Sequence, residues 1–117
     1  MNDRVKPIII RFGEDEEYTL DFNRESVKFA EERGFVIGTA GDFPMTKIPE
    51  FFYYSMRANH KKLARSQTDA ILDRIGGLTP KMIDRLGQLY VQAIESNNVI
   101  QDEEDLAKNG SVTVEMD

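Results

Sequence analysis

A chain of 117 residues without cysteine is long enough for one domain, and it can form neither a disulfide nor a thiolate metal site or nucleophile. Its longest apolar run, Ile8-Ile9-Ile10, is far shorter than the ~20 residues that cross a bilayer, and no apolar segment follows the N-terminal charges, so we expect a cytoplasmic protein without a membrane partner. The net charge of −6 lies mostly from Asn97 onward, where six acidic residues accompany one lysine, so this end should repel a polyanion such as DNA.

Two short segments near the N-terminus alternate apolar with polar residues. Such alternation is typical of strands that turn one face toward a core. The intervening residues 13–17 begin with glycine and are otherwise acidic, which suits a turn. The sequence therefore predicts a β-hairpin with one apolar face. The residues on that face are Ile8, Ile10 and Phe12 in the first segment and Tyr18, Leu20 and Phe22 in the second.

The first helix is predicted over residues 24–33. Asn23 is suited to cap its N-terminus through the side-chain oxygen. Gly34 should stop it as a left-handed C-cap, with Phe35 as the apolar residue that commonly follows. We expect residues 35–45 to form an ordered connection. The alternative is that Phe35-Val36-Ile37 forms a short strand.

Three further helices follow. Thr46 is expected to cap the second, with Pro49 in its first turn, where amides lack helical partners in any case. Ser66 opens a capping-box pattern for the third, and Thr79-Pro80 opens the fourth. Apolar residues along the fourth helix recur at the spacing of a stripe that faces a core. They are Met82, Ile83, Leu86, Leu89, Tyr90, Ala93 and Ile94.

The predicted architecture is α+β. It consists of one domain over residues 1–96, an N-terminal β-hairpin followed by about four helices, and a flexible acidic tail over residues 97–117. The tail lacks the apolar content needed to pack and carries excess acid, so residues 101–117 should be disordered in isolation.

No residue pattern predicts an enzyme, a cofactor site or a metal site. His60 is the only histidine, and no cysteine or carboxylate pair lies near it in sequence. Gly76-Gly77 lacks the spacing and the lysine of a phosphate-binding loop. The acidic turn 14–17 lacks the alternating ligands of a calcium loop. We therefore expect a protein that acts by binding other proteins.

A basic stripe would lie on one helix face if Arg57, Lys61 and Arg65 belonged to a single helix. A nucleic-acid interface is one interpretation. However, the fourth helix has only two basic side chains, Lys81 and Arg85, to offer to a DNA groove. The alternatives are a solvated face or a docking site for an acidic segment, such as the tail of a neighbouring copy. We expect no nucleic-acid partner.

The second helix carries four consecutive aromatic residues, 51–54. Phe51 and Phe52 lie near Ile48 on a helical wheel, which predicts that they enter the core. Tyr53 and Tyr54 lie well to either side, and tyrosine is suited to surfaces that become buried on binding. Tyr53 and Tyr54 are therefore candidates for a self-association or client surface, with core packing as the alternative.

The end of the tail also alternates. Val112, Val114 and Met116 are separated by Thr113 and Glu115, so residues 111–117 could add as a strand to the edge of a partner's sheet. The alternative is that this segment stays disordered.

In order along the chain, four segments resemble a family of small tail-assembly chaperone-like proteins of long-tailed phages and prophages of Gram-positive bacteria. The resemblance extends more loosely through the helices to about Ser96. The segments are Lys6-Pro7-Ile8, Glu17-Tyr18-Thr19-Leu20-Asp21-Phe22-Asn23-Arg24, Glu32-Arg33-Gly34-Phe35 and Pro44-Met45-Thr46-Lys47-Ile48-Pro49.

The resemblance implies a chaperone in the host cytoplasm that binds the tape measure protein and helps recruit tail tube subunits, with possible self-association. The alternatives are a minor structural component of the tail and, from the basic residues, a small DNA-binding regulator.

Overall fold

The computed structural model describes residues 4–39 and 42–97, the last two without their side chains. A β-hairpin is followed by four α-helices, which confirms the predicted α+β architecture. The elements are β1 (Ile8–Phe12), β2 (Glu16–Leu20), α1 (Arg24–Glu32), α2 (Pro44–Arg57), α3 (Arg65–Ile75) and α4 (Pro80–Asn97), with a 3-10 turn at Ile37–Thr39. The predicted flexible tail lies almost wholly outside the described residues.

The hairpin is antiparallel, with Ile8 opposite Leu20 and Ile10 opposite Tyr18. These side chains share the face toward the helices, and Leu20 is fully buried. Phe22, predicted within the second strand, lies just beyond β2 but still packs in the core. The alternation therefore predicted the apolar face correctly. However, β2 begins and ends two residues earlier than the predicted second strand.

α1 has the predicted caps. The Ser26 backbone N–H donates to Asn23 Oδ1 at 2.8 Å, and the Asn23 N–H donates to Ser26 Oγ at 2.9 Å. Gly34 adopts φ +83°, a left-handed conformation that L side chains rarely adopt. The next amide, of Phe35, donates to Ala30 O at 3.0 Å. This turn places the Phe35 ring in the core. The segment Phe35-Val36-Ile37 does not form the short strand that was the alternative.

The predicted caps of α2 and α3 lie three and two residues too late along the chain. α2 begins at Pro44, whose fixed φ suits a first helical position, so Thr46 lies inside the helix and caps nothing. Pro49 consequently lies beyond the first turn, where it leaves Met45 O without an i to i+4 donor. α3 begins at Arg65 because Gln67 Oε1 accepts the Ala64 N–H at 2.7 Å, ahead of the predicted Ser66 cap.

α4 begins as predicted, with Thr79 Oγ1 accepting the Met82 N–H at 3.1 Å. Its stripe packs Leu86, Leu89, Tyr90 and Ala93 into the core. Burial raises the pKa of the Tyr90 phenol to about 12. The core is largely aromatic where α1, α2 and α4 meet, and Phe51 and Phe52 lie in it as predicted. Its aromatic residues are Phe22, Phe35, Phe51, Phe52, Tyr54 and Tyr90.

Candidate protein-binding site

Tyr54 belongs to the core and not to a binding surface. Its side chain is 4% exposed, and its ring lies 5.3 Å from the Phe35 ring and 6.1 Å from the Phe29 ring, centroid to centroid. Burial is the main cause that raises the pKa of its phenol. An enclosed side chain offers almost no surface to a partner. The predicted interface role of Tyr54 is therefore corrected.

Tyr53 keeps part of its ring accessible. It is half-buried, and its ring lies 6.1 Å from that of Phe29 and 5.4 Å from that of Tyr54. The residue borders the core and lies beside the seam between α1 and α2. Tyr53 remains a candidate for contact with a partner.

Phe29 organises the surface beside Tyr53. The guanidinium carbon of Arg33 lies 3.4 Å from the Phe29 ring centroid, and that of Arg57 lies 4.0 Å from it. Both distances are within the range of favourable cation–π contacts. Sequence reasoning did not single out Phe29, because only its tertiary partners distinguish it from other apolar residues of α1.

The predicted basic stripe is not one helix face. α2 ends at Arg57, Lys61 lies in the following loop, and α3 begins with Arg65. The loop carries His60 back to the hairpin, where its Nε2 accepts the Thr19 N–H at 2.9 Å and its ring lies 5.6 Å from that of Tyr18. Arg57, Lys61 and Arg65 therefore do not belong to a single helix, the condition on which the basic stripe depended.

The charges of that stripe are largely engaged within the fold. Arg57 donates to the Lys61 carbonyl at 3.3 Å, and Lys61 pairs with Glu25 at 2.8 Å. The Lys61 ammonium, by hydrogen bond and charge, lowers the pKa of Glu25. Arg65 pairs with Asp69 along α3 at 2.9 Å. Exposed pairs of this kind contribute little stability, but they offset the positive charge that an acidic partner would need.

Among the residues whose side chains the structure describes, the most exposed large apolar ones lie at the start of α2. Met45 is 91% exposed and Phe43 is 63% exposed, whereas Val91 on α4 is 44% exposed. Single exposed apolar residues are ordinary on protein surfaces, so this end of α2 becomes a candidate contact surface through the groove that Met45 lines. Helical periodicity had assigned no role to these two residues, because they precede the predicted start of α2.

Met45 also lines a groove between α2 and α3 with a volume of about 420 Å³. Its α2 wall includes Ile48 and Pro49, and Leu72 contributes from α3. Gly76 and Gly77 complete the groove in left-handed conformations, with no atom within 4 Å of where a Cβ would lie. We call this groove together with Phe43 and Met45 the α2 N-terminal surface. It offers apolar side chains and an open cleft to a protein segment.

The described residues show no cluster suited to a metal. Nowhere in ranges 4–39 and 42–97 do three or more His, Cys, Asp or Glu side chains group so that they could hold an ion. No helix in that part of the chain is long and apolar enough to cross a membrane.

Three predicted contact residues belong to the C-terminal segment. Val112, Val114 and Met116 lie outside the described residues.

Comparison with known proteins gives one result. A family model described as a domain of unknown function (DUF5055) matches residues 1–116. The chain belongs to the DUF5055 family. No curated protein and no solved structure matches it.

Within this DUF5055 chain, each of the four segments that suggested a phage family has an evident structural role. Lys6-Pro7-Ile8 leads into β1, the Glu17–Arg24 segment covers β2 and the cap of α1, and Glu32–Phe35 ends α1. The fourth, Pro44–Pro49, begins α2 and exposes Met45 beside the groove. Of the four segments, this one offers the largest exposed apolar side chain.

Proposed function

We propose that this protein is a phage tail-assembly chaperone, which binds the tape measure protein and helps recruit tail tube subunits in the host cytoplasm. The resemblance of the four ordered segments supports the phage role. The exposed apolar side chains of the α2 N-terminal surface support action through protein binding. The exposure of Met45, within one of the four resembling segments, is the observation that carries the proposal.

The α2 N-terminal surface would bind a client by burying apolar area. Removing a Met or Phe side chain from water contributes roughly 1.5–3 kcal/mol when burial is complete. The adjacent groove provides a concave site for a client side chain, and its glycines leave room for a close approach. Binding of this kind needs no titrating group and no metal.

The Tyr53 region is a second contact area in this proposal. Its ring is half-buried, and Arg33 and Arg57 flank the neighbouring Phe29 ring. Tyrosine and arginine are enriched among the interface residues that contribute most of the binding energy. A client that spans both areas would be held by apolar burial at one and by aromatic and guanidinium contacts at the other.

A pair of variants tests the proposed surface. Phe43→Ser and Met45→Ser together should reduce capture of the tape measure protein of the same phage by at least about tenfold, since each removes an anchor of a typical 1–3 kcal/mol. Capture on an affinity resin after co-expression would be measured. Val91→Ser is the matched control, because it removes an exposed apolar side chain of α4.

Equal capture by the double variant and by wild type would show that the client does not bind the α2 N-terminal surface. An equal loss of capture by Val91→Ser would show that a more polar surface reduces capture wherever the substitution lies. Detection of the protein in purified virions would favour the alternative of a minor structural component over an assembly chaperone.

A further inference from the structure

The outer edge of β1 carries backbone groups without partners among the described residues. On β2, the Thr19 N–H points away from β1, since it donates to His60. In an antiparallel ladder, residues opposite each other share this direction, and Ile9 is opposite Thr19. The N–H and C=O groups of Ile9, and by the same alternation of Arg11, therefore point outward from the hairpin.

The two edges of the hairpin differ. The β2 edge is covered, because His60 takes the Thr19 N–H and Ser55 O accepts the Asp21 N–H at 3.0 Å. For the outward groups of Ile9 and Arg11, residues 4–39 and 42–97 supply no corresponding backbone bond. An open strand edge is a template for another strand.

A groove of about 430 Å³ runs between β1 and the first half of α4. Ile8 forms one wall, and Met82 faces it from α4. Lys81 and Arg85 also line the groove, accompanied by a single acidic residue, Asp84. Its chemistry suits a segment that combines apolar side chains with negative charge.

The cations near this edge are available. Arg4 and Lys6 are exposed ahead of β1, and Lys81 and Arg85 are exposed on α4. In the described part of the chain none of the four takes part in an ion pair. They contrast with Lys61 and Arg65, whose charges are paired.

The C-terminal segment of the same chain has the complementary pattern. Val112, Val114 and Met116 alternate with Thr113 and Glu115, so a strand formed by residues 111–117 would have one apolar face. Its polar face would carry Glu115 and Asp117. Laid against β1, the apolar face would lie beside Ile8 and Ile10, and the carboxylates would approach the free cations.

The chain can reach this position. The Val5 N–H donates to Gln92 Oε1 at 2.7 Å, so the last part of α4 lies beside the segment that enters β1. Residues 98–110 then connect α4 to the candidate strand, and 13 residues span up to about 45 Å when extended. A tether of this length holds the segment at a high effective concentration.

We propose that residues 111–117 bind the open edge of β1 in the same molecule as a third strand of the sheet, seated in the groove between β1 and α4. This inference goes beyond the proposed function and does not depend on it. The added strand would satisfy the outward groups of Ile9 and Arg11 and close the edge to strands of other proteins.

Amide hydrogen exchange of the full-length chain, measured residue by residue by NMR, tests the proposal. The Ile9 and Arg11 amides should exchange at least about tenfold more slowly than exposed amides, because they donate to the added strand. Exchange of both at the rate of exposed amides would overturn it. The Ile10 amide, which faces β2, reports on the hairpin itself and should stay protected throughout.

Two full-length variants provide a matched pair, each adding one carboxylate. Val114→Asp places it on the apolar face of the proposed strand and should return the Ile9 and Arg11 amides to fast exchange. Thr113→Asp places it on the polar face and should leave their protection within about twofold of wild type. Equal effects of the two variants would contradict the proposed alternation.

Dilution separates binding within one molecule from binding between copies. Protection of Ile9 and Arg11 should be unchanged over a hundredfold range of protein concentration. Protection that falls on dilution would assign the strand to a second copy and overturn the proposed intramolecular contact.

Discussion

Tyr53 and Tyr54 are adjacent in sequence but have different surroundings. Successive residues are separated by about 100° around an α-helix, so only one of the pair can point directly between α1 and α2. Tyr54 takes that position, between Phe29 and Phe35, and Tyr53 borders it. The sequence predicted that the two would lie on either side of the apolar arc. It did not predict which one is buried, because that depends on where α1 crosses α2.

Alanine substitutions should separate the two tyrosines. Tyr54→Ala should lower the free energy of unfolding by about 3–5 kcal/mol, the range for losing a large buried aromatic side chain. Tyr53→Ala, which removes a half-buried ring, should cost less than about 2 kcal/mol. Urea unfolding followed by circular dichroism measures both values. Similar losses in the two variants would contradict the assignment of Tyr54 alone to the core.

His60 shows a second limit of sequence reasoning at this scale. The surrounding Asn59-His60-Lys61-Lys62 stretch is polar, yet the His60 ring contacts both Thr19 and Tyr18 of the hairpin. No spacing pattern along the chain connects residue 60 with residue 19. A contact between such distant positions could be found only from the folded structure.

At the scale of elements, the hairpin is tied to α3 through its turn end. Arg74 pairs with Glu16 at 2.9 Å and lies 3.8 Å from the Phe12 ring centroid. The Tyr18 hydroxyl donates to the same carboxylate. Hydrogen bonds from Tyr18 and then Arg74 hold the pKa of Glu16 below its ordinary value of 4.5. The ionised carboxylate therefore stabilises the attachment of the hairpin to α3.

This contact should be lost in acid. Because the pKa of Glu16 is lower in the folded than in the unfolded chain, its contribution is present above pH 4.5 and disappears as the pH falls through the folded pKa. The stability difference between wild type and Glu16→Gln, measured by urea unfolding from pH 6 to pH 3, should therefore shrink toward low pH.

Glu14→Gln is the control, since it removes a carboxylate from the same turn, and Glu14 forms no ion pair with a described residue. Its difference from wild type should change much less with pH. A difference for Glu16→Gln that stays constant down to pH 3 would show that the carboxylate contact adds no stability.

Elements whose ends are set by local chemistry were predicted well. The Asn23 cap, the Gly34 stop and the Thr79-Pro80 start each depend on residues within one turn of the helix end. The starts of α2 and α3 were predicted wrongly because Pro44 and Gln67 define them. The predicted cap residues, Thr46 and Ser66, lie inside the helices. The end of α2 was missed because the chain turns there to carry His60 to the hairpin.

At the scale of the whole molecule, the sequence predicted the α+β order but not the candidate site. Periodicity identifies residues that face a core, and the Leu86 to Ala93 stripe does so. The α2 N-terminal surface is formed by residues from α2 and from the end of α3, and its exposed Phe43 and Met45 follow no period. A surface made from two separate segments becomes visible only when the fold brings them together.

The proposed function is that this protein binds the tape measure protein during tail assembly. The most direct test is co-expression of the full chain with the tape measure protein of the same phage or prophage, followed by size-exclusion chromatography with light scattering. The tape measure protein expressed alone is the control. We predict a soluble complex with several copies of this chain per client molecule. A client that stays insoluble, while this chain elutes as a free monomer, would contradict the chaperone role.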